Sequence, residues 1–419
     1  MHFNVGSKKK NYFPKSKPHI FFIVINCLFL FSTDTNLYGQ SKDAYVIMLS
    51  MDGFRWDYPD RCATPNLDRI AKAGVKAASL QPSFPSKTFA NHYTMATGLY
   101  PDHSGIVDNS FYDPLSRRSY SIGDRKAVED PTFYGGEPVW VTAEKQGIIT
   151  ASFYWVGSEA PIKGIRPTYW KSYDESVPYE NRIDTVIYWL SLPEGKRPHL
   201  ITFYFDEPDG TGHHAGPESE EMCVLVSRLD SLVGVFLDKV EALPIADQVN
   251  IIVTSDHGMG TISPERCVYL HNYIEDEWFE KMDGYSPNFT FKVNEEYYDT
   301  AWQALSSIPH ITAWKHGEMP DSLHYGTNPR TLDFIIVADS AWQFTLSGKV
   351  RGSRGAHGYN PFNKDMHAIF YAQGPAFRPG FTHPTFENIN LYPLICEILN
   401  LVPQPVDGNI SNVREMLKK

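Results

Sequence analysis

A chain of 419 residues with 42% hydrophobic side chains carries enough apolar material for one large domain, or a core with a lobe. Its 21% charged residues exclude a disordered composition, and a formal charge of −11 argues against a tight grip on long nucleic acids. Small phosphate esters are not excluded, because bound metal cations can steer them to an acidic surface.

The first 39 residues are of a different kind. Lys8, Lys9, Lys10, Lys15 and Lys17 precede an apolar run over residues 20–31, too short to span a bilayer comfortably and of the right length for a signal-peptide core. Cleavage near Gly39 predicts a secreted or periplasmic protein with no stable membrane span, an uncleaved anchor being the alternative. Removal of five Lys and Asp34 brings the charge to about −15. Cys62, Cys223, Cys267 and Cys396 remain, far apart and without C-x-x-C spacing, so no thiolate zinc site is implied. An oxidising compartment leaves room for one or two disulfides.

The apolar run over residues 44–50 has strand length and ends in Met51-Asp52-Gly53; it reads as a strand buried on both faces of a parallel sheet. Thr64 then caps a helix with Pro65 in its first position. Pro82 and Pro85 keep the next segment extended as far as Thr88, from which a helix runs until Gly98 closes it. Thr88 therefore stands at a helix start, where unpaired N–H groups favour an anion. Residues 199–205 form a second strand running into Asp206-Glu207-Pro208-Asp209, and residues 250–255 a third running into Asp256-His257-Gly258. An amphipathic helix of roughly residues 218–243 separates them, and residues 367–372 form a fourth strand. The alternation predicts an α/β fold with a mainly parallel central sheet flanked by helices. Residues 261–352 break the rhythm and read as a small inserted α+β lobe.

Taken singly, the polar motifs are ordinary. Asp52 can cap a turn, Asp256-His257-Gly258 can be a strand end, and His357 between small residues can sit in a loop. Asp209 and His213 lie four apart, but Gly210 and Gly212 argue against the helix that would put them on one face. Together the picture changes. Three Asp and three His fall at strand ends on the edge where α/β sheets bind ligands. Without thiolates, carboxylate and imidazole are the ligands zinc takes, and the set is large enough for two ions. Such a pair, about 4 Å apart, stabilises the attacking and leaving oxygens of an in-line displacement at phosphorus. One of them would also acidify the Thr88 hydroxyl.

Several stretches then resemble one family. They are residues 85–93 around Lys87-Thr88-Phe89, residues 98–109 ending in Asp108-Asn109, Tyr204-Phe205-Asp206-Glu207-Pro208-Asp209, Ser255-Asp256-His257-Gly258-Met259 and His357-Gly358-Tyr359. Their sequence and order resemble the nucleotide pyrophosphatase/phosphodiesterase family of the alkaline phosphatase superfamily. The resemblance runs from about Tyr45 to Pro403 and implies an alkaline phosphatase-like catalytic domain over residues 40–419, as in a secreted bacterial member. It implies that Asp52, Thr88, Asp256 and His257 hold one zinc and that Asp209, His213 and His357 hold the other. Thr88 would be the nucleophile that becomes transiently phosphorylated, and Asn109 would donate its amide to a non-bridging phosphate oxygen. Phe89 and Tyr173 look like the family's base-stacking pair, with Trp155 and Tyr204 completing the pocket wall, although all these rings also suit a core. Ala90, Asp206 and Asn360 depart from residues common in relatives; none is at a ligand position.

The resemblance implies a secreted two-zinc phosphodiesterase acting on small-molecule nucleotides to release nucleoside 5′-monophosphates. A phosphomonoesterase or a phospholipid or phosphocholine diesterase would use the same centre, and a catalytically inactive binding module would need a broken ligand set. A monoesterase usually adds a positive side chain near the phosphate, and Lys87 is the one cation within the motifs.

Overall fold

A computed structural model of the protein describes residues 44–346, 348 and 352–419; the leader expected over residues 1–39 lies outside them. In chain order the main elements are β1 (Tyr45–Met51), α1 (Pro65–Ala73), β2 (Val75–Ala77), α2 (Thr88–Thr97), α3 (Val139–Lys145), β3 (Thr150–Phe153), β4 (Tyr169–Lys171) and α4 (Tyr179–Leu190). They continue with β5 (Leu200–Phe205), α5 (Asp209–Ala215), α6 (Glu220–Glu241), β6 (Val249–Thr254), β7 (Phe279–Tyr285), β8 (Asn288–Val293), α7 (Tyr298–Ser306) and β9 (Ile311–Lys315). The last are β10 (Phe334–Ala338), β11 (Phe370–Gln373), β12 (Phe381–His383) and α8 (Leu391–Ile398).

Eight strands form one sheet in the order β12-β2-β11-β6-β1-β5-β3-β4. Only β11 runs against its neighbours; the other pairings are parallel. The sequence of β1 explains why it lies near the middle. Every residue of YVIMLSM is buried, and alternate side chains serve two different cores. Val46 and Met48 pack with α2, α3 and α8, whereas Ile47 and Leu49 pack with α1, α4 and α6. The expected fourth strand begins at Phe370 rather than His367, because Ala368 exchanges both backbone hydrogen bonds with Leu80 instead.

Between β6 and His357 the chain builds a second, antiparallel sheet in the order β7-β8-β10-β9. It has an apolar core of its own, to which Phe291, Phe334 and Ile336 contribute from the sheet and Ala301 and Leu305 from α7. Cys62 and Cys223 form a disulfide that ties the turn before α1 to α6; Cys267 and Cys396 are free. Among the described residues no helix is long and apolar enough to cross a membrane.

The start of α1 differs from expectation. Thr64 precedes the helix, but its side chain makes no capping bond. The cap comes from α6 instead, where the buried Asp230 carboxylate accepts the N–H groups of Asn66 and Leu67 at 3.1 and 2.8 Å. That bond joins two helices as well as closing one, so Asp230→Ala should destabilise the fold by about 1–3 kcal/mol. Urea unfolding with an unchanged m-value measures it; a loss within error of zero would show that Thr64 or solvent replaces the cap.

Candidate active site

The sheet delivers the polar side chains to one edge. Asp52 follows β1 directly, and Asp256 and His257 lie just past β6. Asp209 opens α5 a few residues beyond β5. Thr88 is the first residue of α2, preceded by Lys87 in extended conformation (φ −118°, ψ 150°), and Gly98 ends that helix with φ +67°.

The segment Asp209–Ala215 is helical, against the expectation from its two glycines. Tertiary contacts outweigh the roughly 1 kcal/mol per glycine that propensity costs. The Glu207 carboxylate accepts both the N–H and the hydroxyl of Thr211, closing the first turn. A later glycine makes room for it as well: a Cβ on Gly355 would stand 2.3 Å from the Gly212 carbonyl oxygen, so only glycine lets that strand lie against α5. The close approach brings the Gly355 carbonyl to His213. Asp209 and His213 consequently share one helix face, one turn apart.

Six side chains converge in two groups, Asp52 with Asp256 and His257, and Asp209 with His213 and His357. Within each group one donor atom per residue lies within 4.8 Å of the others. His257 Nε2 is 3.0 Å from Asp256 Oδ2 and 3.4 Å from Asp52 Oδ1. Asp209 offers Oδ1 to His357 Nε2 and Oδ2 to His213 Nε2, both at 3.5 Å. The groups adjoin, because His257 and His357 stack with ring centroids 3.7 Å apart.

The outer atoms of these residues decide what the inner ones are for. His213, His257 and His357 each donate Nδ1–H to a backbone carbonyl, of Gly355, Gly258 and Ser86, all at 2.8 Å. That fixes one tautomer and leaves each Nε2 lone pair facing the centre, the arrangement metal-ligating histidines adopt. Asp52 Oδ1, Asp209 Oδ1 and Asp256 Oδ2 are buried without a hydrogen-bond partner. Buried carboxylate oxygens left unpaired are costly unless a cation meets them. Three bare nitrogens and three orphaned oxygens fit two divalent ions.

The electrostatics point the same way. Burial, followed by the charges of Asp256 and Asp209, pushes the Asp52 carboxyl well above its usual range, against the Tyr204 hydrogen bond. Burial also works to raise Asp256, but the imidazoles of His257 and His92, when protonated, outweigh it and hold that carboxyl low. Asp256 in turn raises His257 against its burial, so Nε2 is held by a proton where no cation takes its place. Burial, reinforced by His257, His213 and Lys87, keeps the His357 imidazole neutral. The cluster thus holds conflicting charge that a bound cation resolves.

Thr88 lies against the first group, its hydroxyl 3.3 Å from His257 Nε2. Asn109 Oδ1 accepts the Phe89 N–H at 2.8 Å, which assigns the other amide atom as NH2 and leaves it to donate beside the helix start. Phe89 is half-buried against Tyr120, and Tyr173 is 38% exposed with its ring edge-on to Tyr154. Tyr204 lies 6.5 Å from Tyr173 between ring centroids, and its hydroxyl donates to Asp52 Oδ2 at 2.5 Å. Trp155 is 1% exposed, packs in the core with its ring edge-on to His92, and donates its indole N–H to the His92 carbonyl.

His92 escaped the sequence reading. It is one turn after Thr88 on α2, fully buried, with Nδ1 at 2.9 Å from the Thr88 carbonyl and 3.4 Å from Asp256 Oδ2. Its four-residue spacing from Thr88 was the available signal. Lys87 is also buried, and its ammonium donates to the Tyr285 carbonyl of the second sheet.

The model of the type I phosphodiesterase / nucleotide pyrophosphatase family matches residues 46–360. The chain belongs to that family. Its fold is accordingly alkaline phosphatase-like. It is 36% identical over 386 residues to venom phosphodiesterase CdcPDE of Crotalus durissus collilineatus, covering 89% of this chain and 46% of the relative. To human ectonucleotide pyrophosphatase/phosphodiesterase family member 1 it is 36% identical over 388 residues, covering 89% of this chain and 42% of the relative. It therefore spans less than half the length of these curated relatives. Human ectonucleotide pyrophosphatase/phosphodiesterase 5 superposes with a TM-score of 0.87 at 34% identity, over 90% of this chain and all of that one. An inactive threonine-to-alanine variant of the murine protein, in complex with AMP, gives 0.86 at the same identity over 90% of this chain and all of its own.

The six inward atoms yield a prediction that needs no substrate. Protein stripped by a chelator should melt at lower temperature, and a divalent cation at 100 times its dissociation constant should restore about 2.7 kcal/mol per site. Asp209→Ala should abolish one of two binding steps in a calorimetric titration. Retention of both steps would exclude Asp209 as a ligand.

Proposed function

We propose that this chain is a secreted hydrolase that splits nucleotide phosphodiester or pyrophosphate bonds to nucleoside 5′-monophosphates, with Thr88 as nucleophile and zinc at both groups. The observation that carries the reading is the Thr88 hydroxyl at a helix N-terminus, 3.3 Å from His257 and beside two acidic-histidine groups. Asp and His without thiolate are a zinc set, and the Cys62–Cys223 disulfide accords with an oxidising compartment.

Bound ions would lower the pKa of the threonine hydroxyl and balance charge on the attacking and leaving oxygens. The chain's own residues do the rest. The positive end of α2, which starts at Thr88, receives a phosphate, and the Asn109 amide donates to a non-bridging oxygen. Phe89 and Tyr173 hold the base, each stack contributing roughly 1–3 kcal/mol with little base preference. Tyr204 and His92 orient Asp52 and Asp256 from behind. Thr88 Oγ1 bonds to phosphorus as the bond to the leaving oxygen breaks, that oxygen keeping the electron pair. A water then bonds to phosphorus, the Oγ1–phosphorus bond breaks, and Oγ1 regains a proton. One water is consumed in total. The Lys87 ammonium is engaged with Tyr285, which favours a diester over a dianionic monoester.

Thr88→Ala should abolish turnover of a p-nitrophenyl nucleotide diester while about two metal ions per chain are retained. Asn109→Ala should lower kcat by about 10²–10³. Steady-state assays with metal analysis test both, and substantial turnover by the Thr88 variant would remove the nucleophile assignment. A p-nitrophenyl phosphate rate above the diester rate would favour the monoesterase.

A further inference from the structure

The segment that carries Tyr173 has little packing to hold it. Every residue from 171 to 176 is exposed, and no helix or strand covers residues 172–178 between β4 and α4. The Tyr173 ring meets Tyr154 edge-on at 5.1 Å and is tilted toward Tyr204 at 6.5 Å, and its N–H donates to Glu159 Oε2 at 3.3 Å. The turn that follows is fixed by hydrogen bonds from α4.

Those bonds come from Arg182, the fourth residue of α4. Its side chain is directed back over the first turn, as long helical side chains are, and is buried at 1% exposure. A guanidinium placed there must spend its donors on protein. Nε donates to the Val177 carbonyl at 3.0 Å, and one terminal nitrogen donates to the Glu175 carbonyl at 3.4 Å. The other terminal nitrogen donates to the Tyr204 carbonyl at 3.0 Å and to Asp206 Oδ1 at 2.9 Å. The Tyr204 carbonyl is open to it because β3 pairs with β5 only as far as Phe203, while the Phe205 carbonyl turns the other way to accept the Asp52 N–H. The guanidinium also lies over Tyr154 at 5.1 Å and Tyr179 at 4.8 Å. One planar group thus joins the Tyr173 segment to the strand end that carries Tyr204, and to the ring against which Tyr173 leans.

We propose that Arg182 is a positioning residue for base recognition: it holds the Glu175 and Val177 carbonyls, and through them Tyr173, ready to stack before a nucleotide arrives, and so sets the preference for nucleotide over base-free diesters. The inference rests on the reading of Tyr173 as a base-stacking residue and adds what makes that stack effective. A ring on a loose segment loses part of its stacking free energy to ordering the segment, whereas a ring already held does not. The hydrogen-bond partners of Arg182 include no member of the two metal-binding groups, so its loss acts on the retained nucleoside rather than on bond breaking. A lysine keeps the charge but not the fork that reaches several acceptors at once.

The p-nitrophenyl ester of a nucleoside 5′-monophosphate and methyl p-nitrophenyl phosphate lose the same leaving group and differ in what stays on phosphorus. With the metal-loaded wild type, the ratio of their kcat/KM values should favour the nucleotide. Arg182→Lys should lower that ratio about tenfold, through KM for the nucleotide with kcat little changed. Tyr173→Ala should lower it too, and adding Arg182→Lys to that variant should move it by no more than about twofold, because both act through one ring. Asp206 is only partly buried, and Asp206→Ala frees one arm of the guanidinium. It should shift the ratio about threefold in the same direction, so the test survives an arginine variant that fails to fold. A ratio unmoved by Arg182→Lys, or by Asp206→Ala where the former does not fold, overturns the positioning role. So does an equal fall on both esters, or a double variant well below Tyr173→Ala. A ratio unmoved by Tyr173→Ala would instead overturn the stacking role beneath it, and failure of the wild type to cleave either ester the phosphodiesterase reading.

Discussion

Three carboxylates crowded at the end of a parallel sheet are the constraint to which the rest of the site answers. Asp52, Asp209 and Asp256 each present an oxygen that no protein group satisfies. Burying like charge this way opposes folding unless something positive completes the set. The surrounding chain turns three imidazoles inward, each held by a backbone carbonyl so that it offers a lone pair. The parallel sheet makes this feasible because neighbouring strands end on the same side, and each carboxylate needs only a short step past a strand. A cation meeting these oxygens would therefore couple its binding to the folding of this edge.

The second sheet takes part in the same arrangement. It is inserted after β6, and the chain must return from it to place Gly355 and His357 in the second group. Two polar contacts anchor it near Thr88: Lys87 donates to the Tyr285 carbonyl, and Asn288 donates to the buried Asp108 carboxylate next to Asn109. A shift of this sheet would thus disturb both the histidine it returns and the amide beside Thr88.

Much of this was legible in the sequence, for a physical reason. Buried parallel strands must be apolar throughout, so β1, β5 and β6 announce themselves, and the polar residues just beyond them mark the binding edge. The six candidate ligands and Thr88 could be singled out because strand ends and one helix start place them without long-range detail. What escaped depends on distant partners. Gly210 and Gly212 spoke against a helix because local propensity does not register Glu207, nor the Gly355 backbone packed on Gly212. Thr64 has the right chemistry for a cap, yet Asp230 arrives from another helix and displaces it. The pairing of Cys62 with Cys223, and not with Cys267 or Cys396, likewise follows from α6 packing beside α1.

The aromatic residues show how finely register decides role. Trp155 and Tyr204 have similar sequence signatures, large rings at or near strand ends. Tyr204 lies opposite Ser50 in the parallel pairing of β5 with β1, and Phe205 lies opposite Met51. Asp52 is the next residue along, so the Tyr204 hydroxyl reaches its carboxylate while the ring leans toward Tyr173. Ser50 in turn meets His92 Nε2, and His92 meets Asp256. A slip of one residue between β1 and β5 would turn Tyr204 to the opposite face of the sheet and break that chain of contacts. Trp155 has no such opening, because its indole is fixed by the His92 carbonyl beneath α2. Tyr204 and Asp52 are thus coupled through one strand register, and any movement of Tyr204 is felt at Asp52.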